Sequence, residues 1–477
     1  MYSQSDIEKV TTTVTKNKIE GHIYYLADDL LKGRETGTPE NDIASSYLAN
    51  TLRSYGVKPN PQNGTFYQDV NLEKVAPDNY FFISINGNEY KYKVALKTKR
   101  VKADALAEYV GYGLEGDYKG KNLSEKYAIV KAGGPETKDA RGAFKLRETK
   151  EELAKRAGAL GIIEFIQTDS KTWRFIEHRF KEDRIELVDP NRDADEKYGL
   201  AHIWVHDEYG SFALDLSKEE SLRLKIVLGG EKRTPITSRN VIGMVEGTDP
   251  VLKDEFIIYS AHYDHVGIGS PDETGDTIYN GARDNAVGTT TVLSMAENLA
   301  TYPTKRSALF ILFTAEENGL LGSEYYVKNP VVPLDQVVFC FNSDNGGYNN
   351  TSLSTIIGLD RTTAASNIKR AVSESGLTAI EDPAPEQNLF ERSDNLHFAK
   401  MGIPSPSFSM GFSSYDGELT KYYHRPGDEA DTLDYDYLLK FFRSYVLSGR
   451  YIANDPTAPF WVPGDKYEEK GKELYKR

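Results

Sequence analysis

The sequence predicts an α/β protein: a central mixed, largely parallel sheet flanked by helices, with a smaller β-rich domain inserted in it. Two observations carry this. After about residue 236 apolar strand-like runs alternate with amphipathic helix-like runs, the pattern of strand–helix–strand units and a parallel sheet. From about 66 to 130 the texture is different, with short β-rich pieces such as "YFFISING", "ALAEYVGYG" and "KYAIVKAGG".

Taken in order, residues 5–55 read as helices. "NKIEGHIYYLADDLLKG" and "ENDIASSYLANTLRSYG" space their apolar residues by three and four, and each ends in Gly. The β-rich middle holds one amphipathic helix, "KLRETKEELAKRAGA", which runs into the strand "LGIIEFIQ". A polar stretch, 168–198, precedes the strands "LAHIWVH" and "LRLKIVLGG". Then come the strands "RNVIGMVEG" and "EFIIYSAHYDH", the helix "AVGTTTVLSMAENLAT", and the strands "RSALFILFTAE" and "QVVFCFNSD". The helix "RTTAASNIKRAVSESG", a short strand "IPSPSFSMG" and a closing helix at 436–453 follow, with a charged tail after them. The expected domains are 1–95 and 236–455 as two parts of one catalytic domain, 96–235 as the insertion, and 456–477 as the tail.

The 477 residues are too many for one ordinary core. Apolar residues at 39% and charged residues at 27% give a globular composition. A net charge of −14 makes nucleic acid and anionic membrane surfaces poor partners. The single cysteine, Cys340, excludes an internal disulfide and Cys-rich zinc sites, and its apolar neighbours suggest a packing role. No stretch approaches the ~20 apolar residues of a membrane span. "MYSQSDIEKV" is too polar for a signal peptide. Oligomeric state is not legible in the sequence.

Chemistry collects at the strand tips of the second half. "SAHYDHVG" offers His262, Asp264 and His265. "NGARDNAVG" offers Asp284, "TAEEN" offers Glu316 and Glu317, "FNSDNGG" offers Asp344, and "KYYHRPGD" offers Tyr423, His424 and Asp428. In open α/β sheets ligands bind beyond the carboxyl ends of the strands. Imidazole and carboxylate donors without thiolate suit Zn²⁺, and also Mn²⁺ or Co²⁺. Singly, each residue reads better as a core or surface histidine, a turn former or first-turn helix acidity than as a ligand. Five such tips in one half of the chain favour a metal site. "GYGLEG", 111–116, matches G-x-G-x-x-G but opens no helix, so the dinucleotide reading is set aside.

The ordered series "SAHYDHVG", "NGARDNAVG", "TAEENGLLGS", "FNSDN" and "YYHRPGDE", with "ERSDNLHFAKMGIPS" before the last, resembles the two-zinc aminopeptidase and glutamate carboxypeptidase family of metallopeptidases. Residues 25–57 resemble that family's N-terminal segment. "KGKNLSEKYAIVKAGG" and "AKRAGALGIIEF" are similar to a protease-associated domain. The resemblance implies a zinc aminopeptidase-like fold and two Zn²⁺. His262 and Asp344 would hold one ion, Glu317 and His424 the other, and Asp284 would bridge them. It also implies that Glu316 acts as general base on a metal-activated water, that Asp264 orients His262, that Tyr423 assists as a phenol, and that the peptide bond after Asp284 is cis. The substrate would be short peptides, cleaved by an aminopeptidase. The alternatives are a carboxypeptidase or dipeptidase of the same family, a glutaminyl cyclase, or a receptor-like protein without activity. The resemblance points to a secreted or periplasmic location, and the polar start of the chain leaves the cytoplasm open. Arg283 and Asn395 depart from common residues of the family; Arg283 is expected either on a substrate carboxylate or on a surface acid.

Overall fold

The computed structural model describes residues 4–97, 100–137, 139–190 and 200–476. The chain divides into two compact units, Met1–Asn71 with Ile236–Arg477, and Leu72–Pro235. The second unit thus starts at 72, where the sequence suggested 96. The reason is local pairing: the strand Phe82–Ile85 pairs antiparallel with Leu222–Leu228, so the segment before 96 is already part of that unit's sheet.

In the first unit the strands run, from one edge, in the order Thr378–Glu381, Leu353–Ile357, Ser407–Met410, Val337–Ser343, Phe256–His262, Ser307–Phe313 and Lys232–Val245. The 256–262 strand lies parallel to both 307–313 and 337–343, and 337–343 is parallel to 407–410. The pairs 232–245 with 307–313 and 353–357 with 407–410 are antiparallel. The sheet is mixed and largely parallel, as the alternation of runs suggested. Both faces of the 256–262 strand are covered. Ile257, Tyr259 and Ala261 join the large core beneath the helices Gly288–Thr301 and Tyr435–Asn454, while Ile258 joins a second cluster with Leu309, Phe313, Cys340 and Phe398. This two-sided burial explains why these strands read as unbroken apolar runs.

The order of connection sets the site. From 256–262 the chain crosses through the 288–301 helix to 307–313 on one side, and the next strand, 337–343, lies on the other. The carboxyl end of 256–262 is therefore a topological switch point, where a parallel sheet opens a crevice.

The second unit holds an eight-stranded sheet whose centre, Val101–Tyr109, Lys126–Lys131, Gly161–Ile166 and Ala201–His206, is parallel. "GYGLEG" follows the first of these strands as a turn and the short 3-10 segment Glu115–Tyr118, with no helix opened. The polar stretch 168–198 contains the helix Ser170–Lys181, which buries Trp173 and Ile176, and the strand Arg184–Leu187; residues 191–198 of that stretch lie outside the described residues. Inside this unit Lys150, Glu164 and His202 are fully buried together. Glu164 accepts from Lys150, from His202 Nε2 at 2.8 Å and from Trp204 Nε1 at 2.5 Å, and Glu151 meets His202 Nδ1 at 3.1 Å.

Candidate metal centre

Each site residue follows from where its strand stops. His262 is the last residue of its strand, and its Nδ1 is 3.2 Å from the main-chain carbonyl of Asp264. That contact turns Nε2 outward. The Asp264 carboxylate itself lies farther from the ring, 3.9 Å from Nδ1. It accepts instead from the backbone N–H of Glu316, at 3.2 Å, and of Glu317, at 3.3 Å. Asp264 thus ties the tip of the 307–313 strand to the tip of the 256–262 strand. Two carboxylates can stand side by side at 316 and 317 because a third pins their main chain. The backbone here is held against its preference. Ala315, Leu320 and His424 all have positive φ, at 57°, 63° and 49°, conformations that cost of order 1–3 kcal/mol each for non-glycine residues and that cluster at functional sites.

Asp284 sits in a buried kinked segment, and the Asp284–Asn285 peptide is cis. Its N–H donates to Asp428 Oδ2 at 3.2 Å. Asp428 also accepts from the Arg283 N–H, at 3.0 and 3.1 Å, and from Arg283 Nη1 at 2.9 Å. Arg283 is buried, lies over the Tyr422 ring at 3.9 Å, and donates to Thr432. It meets an acid, as one of the two expectations had it, but an interior one. The close approach of the following helix needs glycine: a Cβ at Gly288 would collide with the Asn285 side chain and the Ser343 carbonyl.

The polar atoms converge in two groups: His262, Glu316 and Asp344, and His265, Asp284, Glu317 and His424. Asp284 faces both, with Oδ1 3.3 Å from His262 Nε2 and Oδ2 3.2 Å from His424 Nε2. Asp344 Oδ1 is 3.3 Å from His262 Nε2, and Glu317 Oε2 is 3.2 Å from His424 Nε2. With bonds of about 2.0–2.1 Å to zinc, two ligands of one tetrahedral ion stand roughly 3.3–3.4 Å apart. The four observed separations match that edge. His424 Nε2, moreover, is buried and makes no well-directed hydrogen bond. An imidazole nitrogen left without a hydrogen bond while facing the Asp284 and Glu317 carboxylates fits a cation.

The electrostatics agree. Burial, with Asp344 and Glu317 nearby, pushes the Glu316 carboxyl well above its usual range. Burial opposes ionisation of Asp284 too, yet His262 and His424 hold it far below the usual range. For Glu317, burial and Asp284 push upward, but His265 and His424 bring it down to about 2. Burial works against a charged His262, and the carboxylates of Glu316, Asp284 and Asp344 outweigh it, raising it well above its ordinary value. Four carboxylates this crowded ionise together only when cations compensate them.

Tyr423 stacks on His424, with centroids 4.0 Å apart and planes at 20°, and lines a cleft of about 550 Å³ together with Asp284, Glu316, Glu317, Asp344 and His424. Two parts of the site were not assigned roles from sequence. His265 Nδ1 is 2.8 Å from Glu317 Oε1, and the Arg283–Asp428 pair positions Asp284. Their letters were visible in "YDHVG" and "RPGD", but the partners lie 52 and 144 residues away.

Residues 240–447 match the peptidase family M28. That match lies within the larger unit. Among curated relatives, the chain is 32% identical over 240 residues to Aminopeptidase YwaD of Bacillus subtilis, spanning 49% of this chain and 48% of that protein. It is 26% identical over 238 residues to a probable leucine aminopeptidase 2 of Aspergillus oryzae, spanning 46% and 45%. The chain thus aligns with about half the length of these relatives. Among solved structures it resembles an aminopeptidase from Aneurinibacillus sp. strain AM-1, with a TM-score of 0.61, 22% identity, and 97% and 99% of the two chains covered. It also resembles a zinc aminopeptidase from Bacillus subtilis, with a TM-score of 0.50, 20% identity and coverage of 93% and 97%. These likenesses show the fold. No described helix is long and apolar enough to cross a membrane.

Proposed function

We propose that this protein is a co-catalytic two-zinc aminopeptidase acting on short peptides. The observation that carries the reading is Asp284, whose two oxygens lie 3.3 and 3.2 Å from imidazole nitrogens of two separate groups. His262 and Asp344 would hold one ion, Glu317 and His424 the other, with Asp284 shared. Zinc suits this donor set, and Mn²⁺ or Co²⁺ could replace it. Bound there, the ions would supply Lewis acidity, polarising the peptide carbonyl and lowering the pKa of water.

The chain's own groups do the rest. Glu316 is the group of its cluster without a short contact to an imidazole, which leaves its carboxylate free to take a proton from the attacking water and return it to the leaving amine. Asp264 fixes the main chain under that carboxylate. Burial and the Asp284 and Glu317 carboxylates raise the Tyr423 phenol above its ordinary value, so it stays protonated and can donate to the carbonyl oxygen as charge builds there. The carboxylate-rich end of the cleft suits a free α-ammonium group, which favours an aminopeptidase. Among the described residues the cleft has a single lysine or arginine, Arg392. A carboxypeptidase for acidic residues would call for several.

The test is hydrolysis of an aminoacyl-anilide panel by the zinc-loaded protein, with and without chelator. Chelator-sensitive release that returns with zinc supports the reading. No turnover of any aminoacyl substrate after zinc loading refutes it.

A further inference from the structure

Arg392 is the odd charge in the cleft. The walls carry Asp284, Glu316, Glu317 and Asp344, and the remaining acid, Glu391, is already paired with Lys466. Arg392 forms no ion pair with a carboxylate among the described residues. Its guanidinium instead faces the phenols of Tyr415 and Tyr423, neutral groups that fix its position without cancelling its charge. Tyr423, Arg392 and the carboxylates Asp284, Glu316, Glu317 and Asp344 line the same cleft, so the cation and the carboxylate cluster share one space. The cleft is therefore charged at two poles, with an apolar wall that includes Ile357, Leu389, Phe412 and Leu419.

A planar guanidinium with its donors held in a fork is matched by a carboxylate, which it binds through two parallel hydrogen bonds. An ammonium group at the carboxylate pole and a carboxylate at the arginine are the two ends of a short zwitterionic peptide. Resting on the aminopeptidase reading above, we infer that Arg392 is the subsite for a substrate's free C-terminal carboxylate, and that dipeptides are the preferred substrates. The interaction is made only by substrates whose chain ends one residue beyond the scissile bond. Amides and anilides lack the carboxylate, and longer peptides carry it farther from the scissile bond.

The experiment compares kcat/KM for Leu-Ala and Leu-Ala-amide in the zinc-loaded wild type, Arg392→Gln and Arg392→Lys, with Leu-p-nitroanilide alongside. A hydrogen-bonded charge pair predicts that the wild type prefers the free acid by about 10- to 100-fold. Arg392→Gln should bring the acid-to-amide ratio close to one, and Arg392→Lys should restore part of it. A wild-type ratio within twofold of one overturns the inference, and so does an Arg392→Gln ratio equal to that of the wild type. If the amide and the anilide are cleaved and only the ratio is flat, the subsite alone is wrong. If no substrate is cleaved, the aminopeptidase reading fails and the subsite falls with it.

Discussion

His265 separates a residue that holds a metal from one that holds a ligand. Its Nδ1 is 2.8 Å from Glu317 Oε1, a hydrogen-bond distance shorter than the 3.2 Å between His424 Nε2 and Glu317 Oε2. The shorter contact makes His265 a donor that orients Glu317. His265→Phe removes the bond and keeps a ring of similar size where the backbone at Gly281 comes close. A hydrogen bond to a charged acceptor contributes about 1.5–3 kcal/mol, which is roughly 10- to 150-fold in affinity, and outer partners of metal ligands cost about 10–100-fold when lost. The assay is zinc competition against a chromophoric chelator, with stoichiometry read at saturation. The expected result is one of two ions bound about 10–100-fold more weakly, with both sites still filled at saturating zinc. Loss of a whole equivalent at saturation would make His265 a ligand. Unchanged affinity would show that the contact does not orient Glu317.

Other outcomes follow from the same geometry. Glu316→Gln should retain metal and lose about 10²–10⁴-fold in kcat, whereas Glu317→Gln should lose metal; equal metal loss in both would reverse the role assignment. Asp428→Asn leaves buried Arg283 without its counter-charge and should cost about 3–5 kcal/mol in urea unfolding while weakening zinc binding through Asp284. Unfolding and zinc titrations that match wild type would contradict it. In the second unit, Glu164→Gln strips Lys150 and His202 of their shared partner and should cost about 3–5 kcal/mol, followed by fluorescence of Trp204, which donates to Glu164. Burial works against charge on His202, but Glu151 and Glu164 raise it above 6.5. Its contribution is therefore full below that value and is lost as the pH rises through the folded-state value. The stability advantage of wild type over His202→Gln should shrink on going from about pH 6 into the alkaline range, and a growing advantage would refute the sign.

What the sequence could show depended on whether the signal was local. The 256–262, 307–313 and 337–343 strands were legible because both faces are buried and their residues are apolar without a break. The carboxylates and histidines just past them were legible because nothing apolar hides a strand tip. The helix Ser170–Lys181 was read as polar because most of its residues are charged or polar and only Trp173 and Ile176 are buried, with Phe175 turned to solvent. The start of the second unit was missed because the 82–85 strand finds its partner 140 residues later, at 222–228. Asp264 shows the same limit within the site. The resemblance assigned it to the His262 ring; its carboxylate also accepts from the backbone of Glu316 and Glu317, and no spacing in the chain encodes that contact.

The central claim is that Asp284 joins two metal positions. The direct measurement is elemental analysis of the full chain, stripped by chelator, reloaded with zinc and freed of excess metal, beside Asp284→Asn. Close to two zinc per wild-type chain and a clear loss in the variant are expected. A wild-type value that stays at or below one after loading would contradict it.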